Sequence, residues 1–297
     1  MRLNTVTAID CVEGMRKLAD KYVDLTVTSP PYDNLRKYNG FELDIAGIIS
    51  ELYRVTKDGG VVVWVVGDAT VNGSETGTSF RQALAFIDAG FRLHDTMIYE
   101  KANPVPSVSR RYQPSFEYMF VFSKGAPRVF NPIRVPKKYI ENRSRTNFNR
   151  DVNGIHIKGA SSSDTTRLKK NVWTYSVGRH HTSSDDEAFE HPAVFPEKLA
   201  EDHILSWSNP GDVVLDIFAG SGTTLKMAML NERNYIGFDL SEDYVNIAQR
   251  RLNKYTPEGQ CYCGEQLVWQ NDFDDYVLYS CFKCGNDVEK PSESFDL

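Results

Sequence analysis

No stretch of this 297-residue chain approaches the roughly 18 to 20 consecutive apolar residues that a membrane-spanning helix requires. Met1-Arg2-Leu3-Asn4 does not lead into the apolar core of a secretory leader. The expectation is a soluble, cytoplasmic protein that makes no membrane contact. Proline (13) and glycine (20) are too sparse for collagen-like or low-complexity sequence, and 41% hydrophobic residues exclude disorder and allow a large core. Cysteine is nearly absent before position 260. Cys11 stands alone, whereas Cys261, Cys263, Cys281 and Cys284 crowd the end of the chain, a clustering that in a reducing compartment favours metal over disulfide. A basic excess is missing too: 34 Lys and Arg against 40 Asp and Glu give a formal charge of −6, which argues against a uniformly basic nucleic-acid coat protein. The average conceals an asymmetry. Residues 101–181 hold sixteen basic and four acidic side chains, a local +12, so the remainder carries −18.

The first 125 residues alternate apolar runs of strand length with amphipathic stretches of helix length, the pattern of an α/β, doubly wound sheet with crossover helices. Strands are expected at 3–9, 22–28, 60–66, 91–100 and 116–123, and helices at 11–19, 43–56 and 79–89, the second helix stopping at Lys57-Asp58-Gly59-Gly60. Val61-Val62-Val63-Trp64-Val65-Val66 has no polar alternation, as expected of a strand covered on both faces. Residues 126–188 lose this periodicity and are rich in Pro, Asn, Ser and basic side chains, which marks an inserted recognition region. Order returns over 189–255, with helices at 196–207, 223–231 and 242–254 and strands at 212–218 and 234–240. Thr256-Pro257-Glu258-Gly259 then links to a tail, 256–297, with a hairpin at 267–270 and 276–280.

Two motifs carry chemistry. Asp216-Ile217-Phe218-Ala219-Gly220-Ser221-Gly222-Thr223-Thr224 follows the apolar Val213-Val214-Leu215 and opens a helix. A strand, a glycine turn and a helix N-terminus place backbone amides close to a bound molecule at the carboxyl edge of the sheet. The next strand ends at Asp239, well placed to accept hydrogen bonds from ribose hydroxyls. The pattern is neither a dinucleotide Gly-x-Gly-x-x-Gly nor a Walker loop. The second motif ends the strand at 22–28 with Ser29-Pro30-Pro31-Tyr32. Two prolines force the chain out of the sheet and hold Pro30 extended, which aims a hydroxyl, a carbonyl and an aromatic face at one spot. Taken alone, a Pro-Pro corner is more often only a rigid exit from a sheet.

Together, Ser-Pro-Pro-Tyr first and Phe218-Ala-Gly-Ser-Gly much later, the motifs resemble the β class of the amino-group DNA methyltransferases. Similar to that family as well are Glu51-Leu52-Tyr53-Arg54-Val55 before Gly59-Gly60, Tyr99-Glu100-Lys101-Ala102-Asn103-Pro104, Phe116-Glu117-Tyr118 before Phe122-Ser123-Lys124, and His191-Pro192-Ala193-Val194-Phe195-Pro196-Glu197-Lys198-Leu199. The resemblance covers about residues 3–125 and 190–254. It implies a Rossmann-like methyltransferase sheet with circularly permuted motif order and S-adenosylmethionine as methyl donor. Ser29, Pro30, Pro31 and Tyr32 would hold the target amino group. Asp10, Phe195, Pro196, Asp216, Phe218, Ala219, Gly220, Ser221, Gly222, Thr223 and Asp239 would line the cofactor, although Asp10 could equally cap the helix that starts at Cys11. His191 reads as structural.

The expected reaction is methylation of the exocyclic nitrogen of a base flipped out of duplex DNA, with N4 of cytosine favoured because Ser-Pro-Pro-Tyr is commoner among those relatives, and N6 of adenine the alternative. A catalytically silent DNA-recognition protein and methylation of RNA or a small molecule are further alternatives. Arg110, Arg111, Lys137, Lys138, Arg143, Arg145, Arg150, Arg167, Lys169 and Lys170, set among Asn, Ser and aromatic residues, suit phosphate and base-edge contacts. Cys261, Cys263, Cys281 and Cys284 resemble an all-cysteine zinc ribbon, with the first knuckle one residue short of the usual spacing. A homodimer and a separately acting restriction endonuclease complete the expected partners.

Overall fold

The computed structural model describes residues 2–31, 43–104, 106, 110–137, 149–150, 156–157, 165–179, 181–255, 268–272, 276–280 and 287–291. The chain divides into two compact units, Pro132–Lys170 and the remainder.

The larger unit contains an eight-stranded sheet. In chain order its first elements are β1 (Thr5–Ala8), α1 (Cys11–Arg16), β2 (Val23–Thr28), α2 (Ile45–Val55) and β3 (Thr56–Val66). A small hairpin, β4 (Thr70–Val71) and β5 (Ser74–Glu75), precedes α3 (Thr78–Asp88), β6 (Arg92–Lys101) and β7 (Phe116–Ser123). In the smaller unit β8 (Arg134–Pro136) pairs antiparallel with β11 (Thr166–Leu168), and β9 (Asn149–Arg150) with β10 (His156–Ile157). The larger unit resumes with β12 (Val172–Tyr175), a 3-10 turn at Asp186–Glu190, α4 (Glu197–Trp207), β13 (Val213–Asp216), α5 (Thr223–Leu230), β14 (Asn234–Asp239) and α6 (Glu242–Asn253). Last comes an antiparallel three-stranded sheet of β15 (Val268–Asp272), β16 (Tyr276–Ser280) and β17 (Asp287–Pro291).

The large sheet runs β1-β14-β13-β2-β3-β7-β6-β12, and β7 alone opposes the direction of the other seven strands. The mostly parallel sheet requires cover on both faces, and β3 shows how the sequence meets that need. Val62, Trp64 and Val66 join one apolar cluster with Met15 of α1, Ile48, Ile49 and Leu52 of α2, and Phe86 of α3. The alternate residues Val61, Val63 and Val65 lie outside that cluster and are just as buried. Packing within the cluster is aromatic at its centre: Phe86 stacks on Phe122 at 4.2 Å, and the Trp64 indole nitrogen donates to Gln82 at 2.9 Å. Helices α4, α5 and α6 neighbour one another in turn, as do α1, α2 and α3.

Three local expectations differ from the structure. Helix α2 ends at Val55 and passes directly into β3, so Lys57–Gly60 belong to the strand rather than to a glycine stop. The Thr56 hydroxyl bonds back to the Leu52 carbonyl at 2.6 Å while its backbone is already extended, which ends the helix without glycine. Residues 172–175, within the region read as an insert, form β12 and extend the large sheet in parallel register with β6. The hairpin expected in the tail gains a third strand, β17.

Candidate active site

The strand order reverses between β13 and β2. From β13 the chain crosses through α5 to β14 on one side, and from β2 through α2 to β3 on the other. Such a switch point opens a crevice at the carboxyl ends of the two strands, and both chemical motifs sit there. The last residue of β2, Thr28, donates from Oγ1 to Oδ1 of Asp216, the last residue of β13, at 2.7 Å. Residues 188 positions apart are thus joined at the root of both loops. The Phe218 amide donates to the same carboxylate oxygen at 3.1 Å, and the Thr224 hydroxyl reaches the Val27 carbonyl at 3.1 Å. Asp216 is fully buried, and burial pushes its carboxyl up to about 6 against the opposing hydrogen bonds from Thr28, Phe218 and Thr224.

Beyond β2, Ser29 is half-buried, Pro30 buried and Pro31 half-buried. Tyr32 lies outside the described residues. On the other side the glycine turn is held by backbone bonds. The Gly220 amide donates to Oδ2 of Asp239 at 2.9 Å, the Ala219 amide to the Phe238 carbonyl at 2.8 Å, and the Gly222 amide to the Ala219 carbonyl at 2.7 Å. Gly220 and Gly222 both take left-handed conformations, with φ of 50° and 77°. A Cβ on Gly222 would stand 2.8 Å from Cβ of Ala248 in α6, and one on Gly220 would stand 3.0 Å from Nε2 of His191. The left-handed backbone and these close neighbours favour glycine at both points. Asp239 is buried, accepts also from the Ser241 amide at 2.9 Å, and has its carboxyl raised by burial.

The remaining residues expected around the cofactor divide. Phe218 is half-buried and meets Trp64 edge-on, while Ala219, Ser221 and Thr223 are buried in the turn and the first residue of α5. Asp10 follows β1 and caps α1, its Oδ1 accepting from the amides of Val12 and Glu13 at 2.9 and 3.0 Å. Phe195 is half-buried, and Pro196 is buried as the residue capping α4. His191 is buried, bonds through Nδ1 to the backbone of Ala193 and packs edge-on against Tyr244, as a structural histidine would.

Sequence reasoning missed a cluster behind the turn. Lys226 of α5 and Arg251 of α6, 1% and 0% exposed in their side chains, both contact Asp185 and Glu197. Asp185 and Glu197 titrate below their ordinary ranges: burial alone would raise both, and donors including Lys226 outweigh it. No local signal marks these residues, because Arg250-Arg251 reads as the basic last turn of a helix. Thr28 likewise reads only as a strand former.

In the smaller unit, Arg167 pairs with Val135 across β8 and β11, Lys137 and Lys169 extend the same ladder through backbone bonds to Thr165 and Ile133, and Lys170 follows, exposed. Arg134, not singled out in the sequence, lies on this ladder opposite Leu168. Arg150 is in β9, and Lys138, Arg143 and Arg145 lie outside the described residues. In the larger unit Arg110 is exposed, whereas Arg111 is engaged by Glu75 and the Gly73 carbonyl. Cys261, Cys263, Cys281 and Cys284 lie outside the described residues. Among the described residues no group of three or more His, Cys, Asp or Glu could hold a metal ion, and no helix is long and apolar enough to cross a membrane.

Comparison with known proteins bears on the family and the fold. The N6_N4_Mtase family profile, described as DNA methylase, matches residues 23–250. The orphan methyltransferase M.BamHII of Bacillus amyloliquefaciens is 52% identical over 242 residues, covering 80% of this chain and 91% of that protein. The type II methyltransferase M.BglII of Bacillus subtilis is 29% identical over 266 residues, 84% of this chain and 69% of its own length. Among solved structures, the cytosine-N4-specific PvuII DNA methyltransferase superposes with a TM-score of 0.62 at 20% identity, over 88% of this chain and 91% of its own, a likeness of fold. TTHA0409 of Thermus thermophilus, assigned to the DNA modification methylases, superposes with a TM-score of 0.58 at 26% identity, over 86% of this chain and 96% of its own. By the family profile and by M.BamHII, the chain belongs to the N6/N4 DNA methylase family.

Proposed function

We propose that the protein transfers a methyl group from S-adenosylmethionine to the exocyclic amino group of a base flipped out of duplex DNA, with N4 of cytosine as the acceptor. The observation that carries this reading is the Thr28–Asp216 bond, which holds the Ser-Pro-Pro corner and the glycine turn on neighbouring strand ends. The residues of the turn fit the donor: left-handed glycines leave room for a close approach, and two buried acids suit a ribose and a cationic methionine end. TTHA0409 has also been solved in complex with S-adenosyl-L-methionine.

Bound S-adenosylmethionine supplies an electrophilic methyl group. The protein must do the rest with position and hydrogen bonds. An aromatic amine is a weak nucleophile because its lone pair is delocalised into the ring. Pro30 has no amide proton, so its end of the corner presents only a carbonyl acceptor, with the Ser29 hydroxyl beside it. If both accept from the amino group, they draw the nitrogen toward a tetrahedral shape and strengthen as positive charge grows on it, favouring the transition state over the ground state. Tyr32 would stack on the flipped base. No cysteine nucleophile is needed, and Cys11 is buried with its thiol pushed up to about 12 by burial.

Support for cytosine is the serine at the head of the motif. Transfer of labelled methyl groups to duplex DNA, with RNA of the same sequence as competitor, tests the substrate class. Ser29→Ala should lower kcat by about 10²-fold or more while retaining donor binding. Label on RNA alone, or an unchanged kcat in Ser29→Ala, would contradict the reading. We further propose that Cys261, Cys263, Cys281 and Cys284 bind zinc, on the strength of their spacing around the β15–β16 hairpin. Metal analysis of chelator-free protein should find about one zinc per chain, and less than about half would contradict it.

A further inference from the structure

The cluster of Lys226, Arg251, Asp185 and Glu197 sits directly behind the glycine turn, and its two cations share both acids but differ in their other partners. Lys226 donates from Nζ to Ser184 Oγ at 2.8 Å, to Asp185 Oδ2 at 2.8 Å and to Glu197 Oε1 at 2.9 Å. Arg251 shares both acids, through Nε to Asp185 Oδ2 at 3.0 Å and through Nη2 to Glu197 Oε1 at 2.9 Å. Its remaining nitrogen, Nη1, turns the other way, to the Ser221 carbonyl, Ser221 Oγ at 3.1 Å and Thr223 Oγ1 at 3.3 Å. Ser221 lies between the two left-handed glycines, and Thr223 is the first residue of α5. One planar guanidinium thus spans the turn and the 183–197 segment, which runs to the cap of α4 at Pro196. A lysine cannot bridge in this way, because it offers one nitrogen where Arg251 uses three.

We propose that Arg251 is a positioning residue for the donor site: it fixes the carbonyl and hydroxyl of Ser221, and hence the turn between Gly220 and Gly222, while tying that turn to residues 183–197. The role rests on the reading of this turn as the S-adenosylmethionine site. Lys226 is the internal control. It neutralises the same two acids and is equally buried, but its ammonium bonds to residues 184, 185 and 197 rather than to the turn. Loss of either cation leaves buried carboxylates short of a partner, so both losses destabilise the fold. Only the loss of Arg251 also frees the turn.

The test is calorimetric titration of the full chain with S-adenosylmethionine, alongside thermal unfolding, for the wild type, Arg251→Met, Arg251→Lys and Lys226→Met. Arg251→Met should weaken donor binding about tenfold or more, Arg251→Lys less severely, and Lys226→Met by no more than about threefold despite a similar fall in Tm. Affinity for duplex DNA without donor should be unchanged in all variants that fold. If Arg251→Met does not fold, Arg251→Lys carries the comparison, with donor binding weakened more than in Lys226→Met. Wild-type affinity in an Arg251 variant, or equal weakening in the Arg251 and Lys226 variants, would overturn the proposal. Absence of donor binding by the wild type would instead overturn the donor reading, and this inference with it.

Discussion

Asp216 joins the two halves of the site, and its environment sets a pH dependence. Its folded value of about 6 lies above the ordinary 3.8, so between these values the folded chain binds more proton than the unfolded one. This group therefore favours the fold of the free protein in acid, a contribution lost as pH rises through about 6. Donor binding should run the opposite way, since a cationic ligand prefers the ionised carboxylate. Titrations with S-adenosylmethionine at pH 5, 6 and 7.5 should show affinity falling up to about tenfold per unit below pH 6. The same titrations on Asp216→Asn should give weak and nearly pH-independent binding; a wild-type affinity flat from 5 to 7.5 would contradict this role. Asp216 was legible in the sequence because an acid at the end of an apolar strand before a glycine turn is a local pattern. Its partner Thr28 was not, because a threonine in a strand signals nothing about a contact 188 residues away.

At the scale of elements, the turn between β13 and α5 depends on how closely α6 packs against it. Gly222 is left-handed and a methyl there would meet Ala248 of α6, whereas Gly211 is equally left-handed, at φ 84°, and a methyl placed on it would have nothing within 4 Å. Gly211→Ala should cost only the backbone strain, about 1 kcal/mol, and leave donor binding intact. Gly222→Ala should cost about 2 to 4 kcal/mol, since overpacking adds to the strain, and should also weaken donor binding. Chemical denaturation of the two variants checks the difference, and equal losses would show that packing against α6 does not constrain the turn. The central strands were legible from their apolar runs because burial on both faces leaves no alternation to misread. Strand β12 was not: burial alternates along it, with Trp173 and Tyr175 inside and Val172 and Thr174 outside, but the apolar Val172 on the outer side breaks the alternation in the sequence, and the parallel pairing with β6 leaves no local signal.

Across the whole molecule, charge is distributed rather than uniform: residues 101–181 carry +12 and the rest −18. The ladder of β8 and β11 gathers Arg134, Lys137, Arg167 and Lys169 within one small unit, a concentration that suits DNA phosphates. Replacing Lys137, Lys138, Lys169 and Lys170 by glutamine should weaken duplex binding and reduce the slope of log affinity against log salt by up to about 3 to 4. An unchanged slope would remove this unit from the DNA interface. The central claim, methyl transfer to an exocyclic amine, is tested most directly by mass spectrometry of nucleosides from duplex DNA incubated with the protein and S-adenosylmethionine. N4-methylcytosine should appear, and its level should fall with Ser29→Ala. N6-methyladenine in its place would contradict the choice of base, and no methylated nucleoside from protein that binds both DNA and donor would contradict the claim itself.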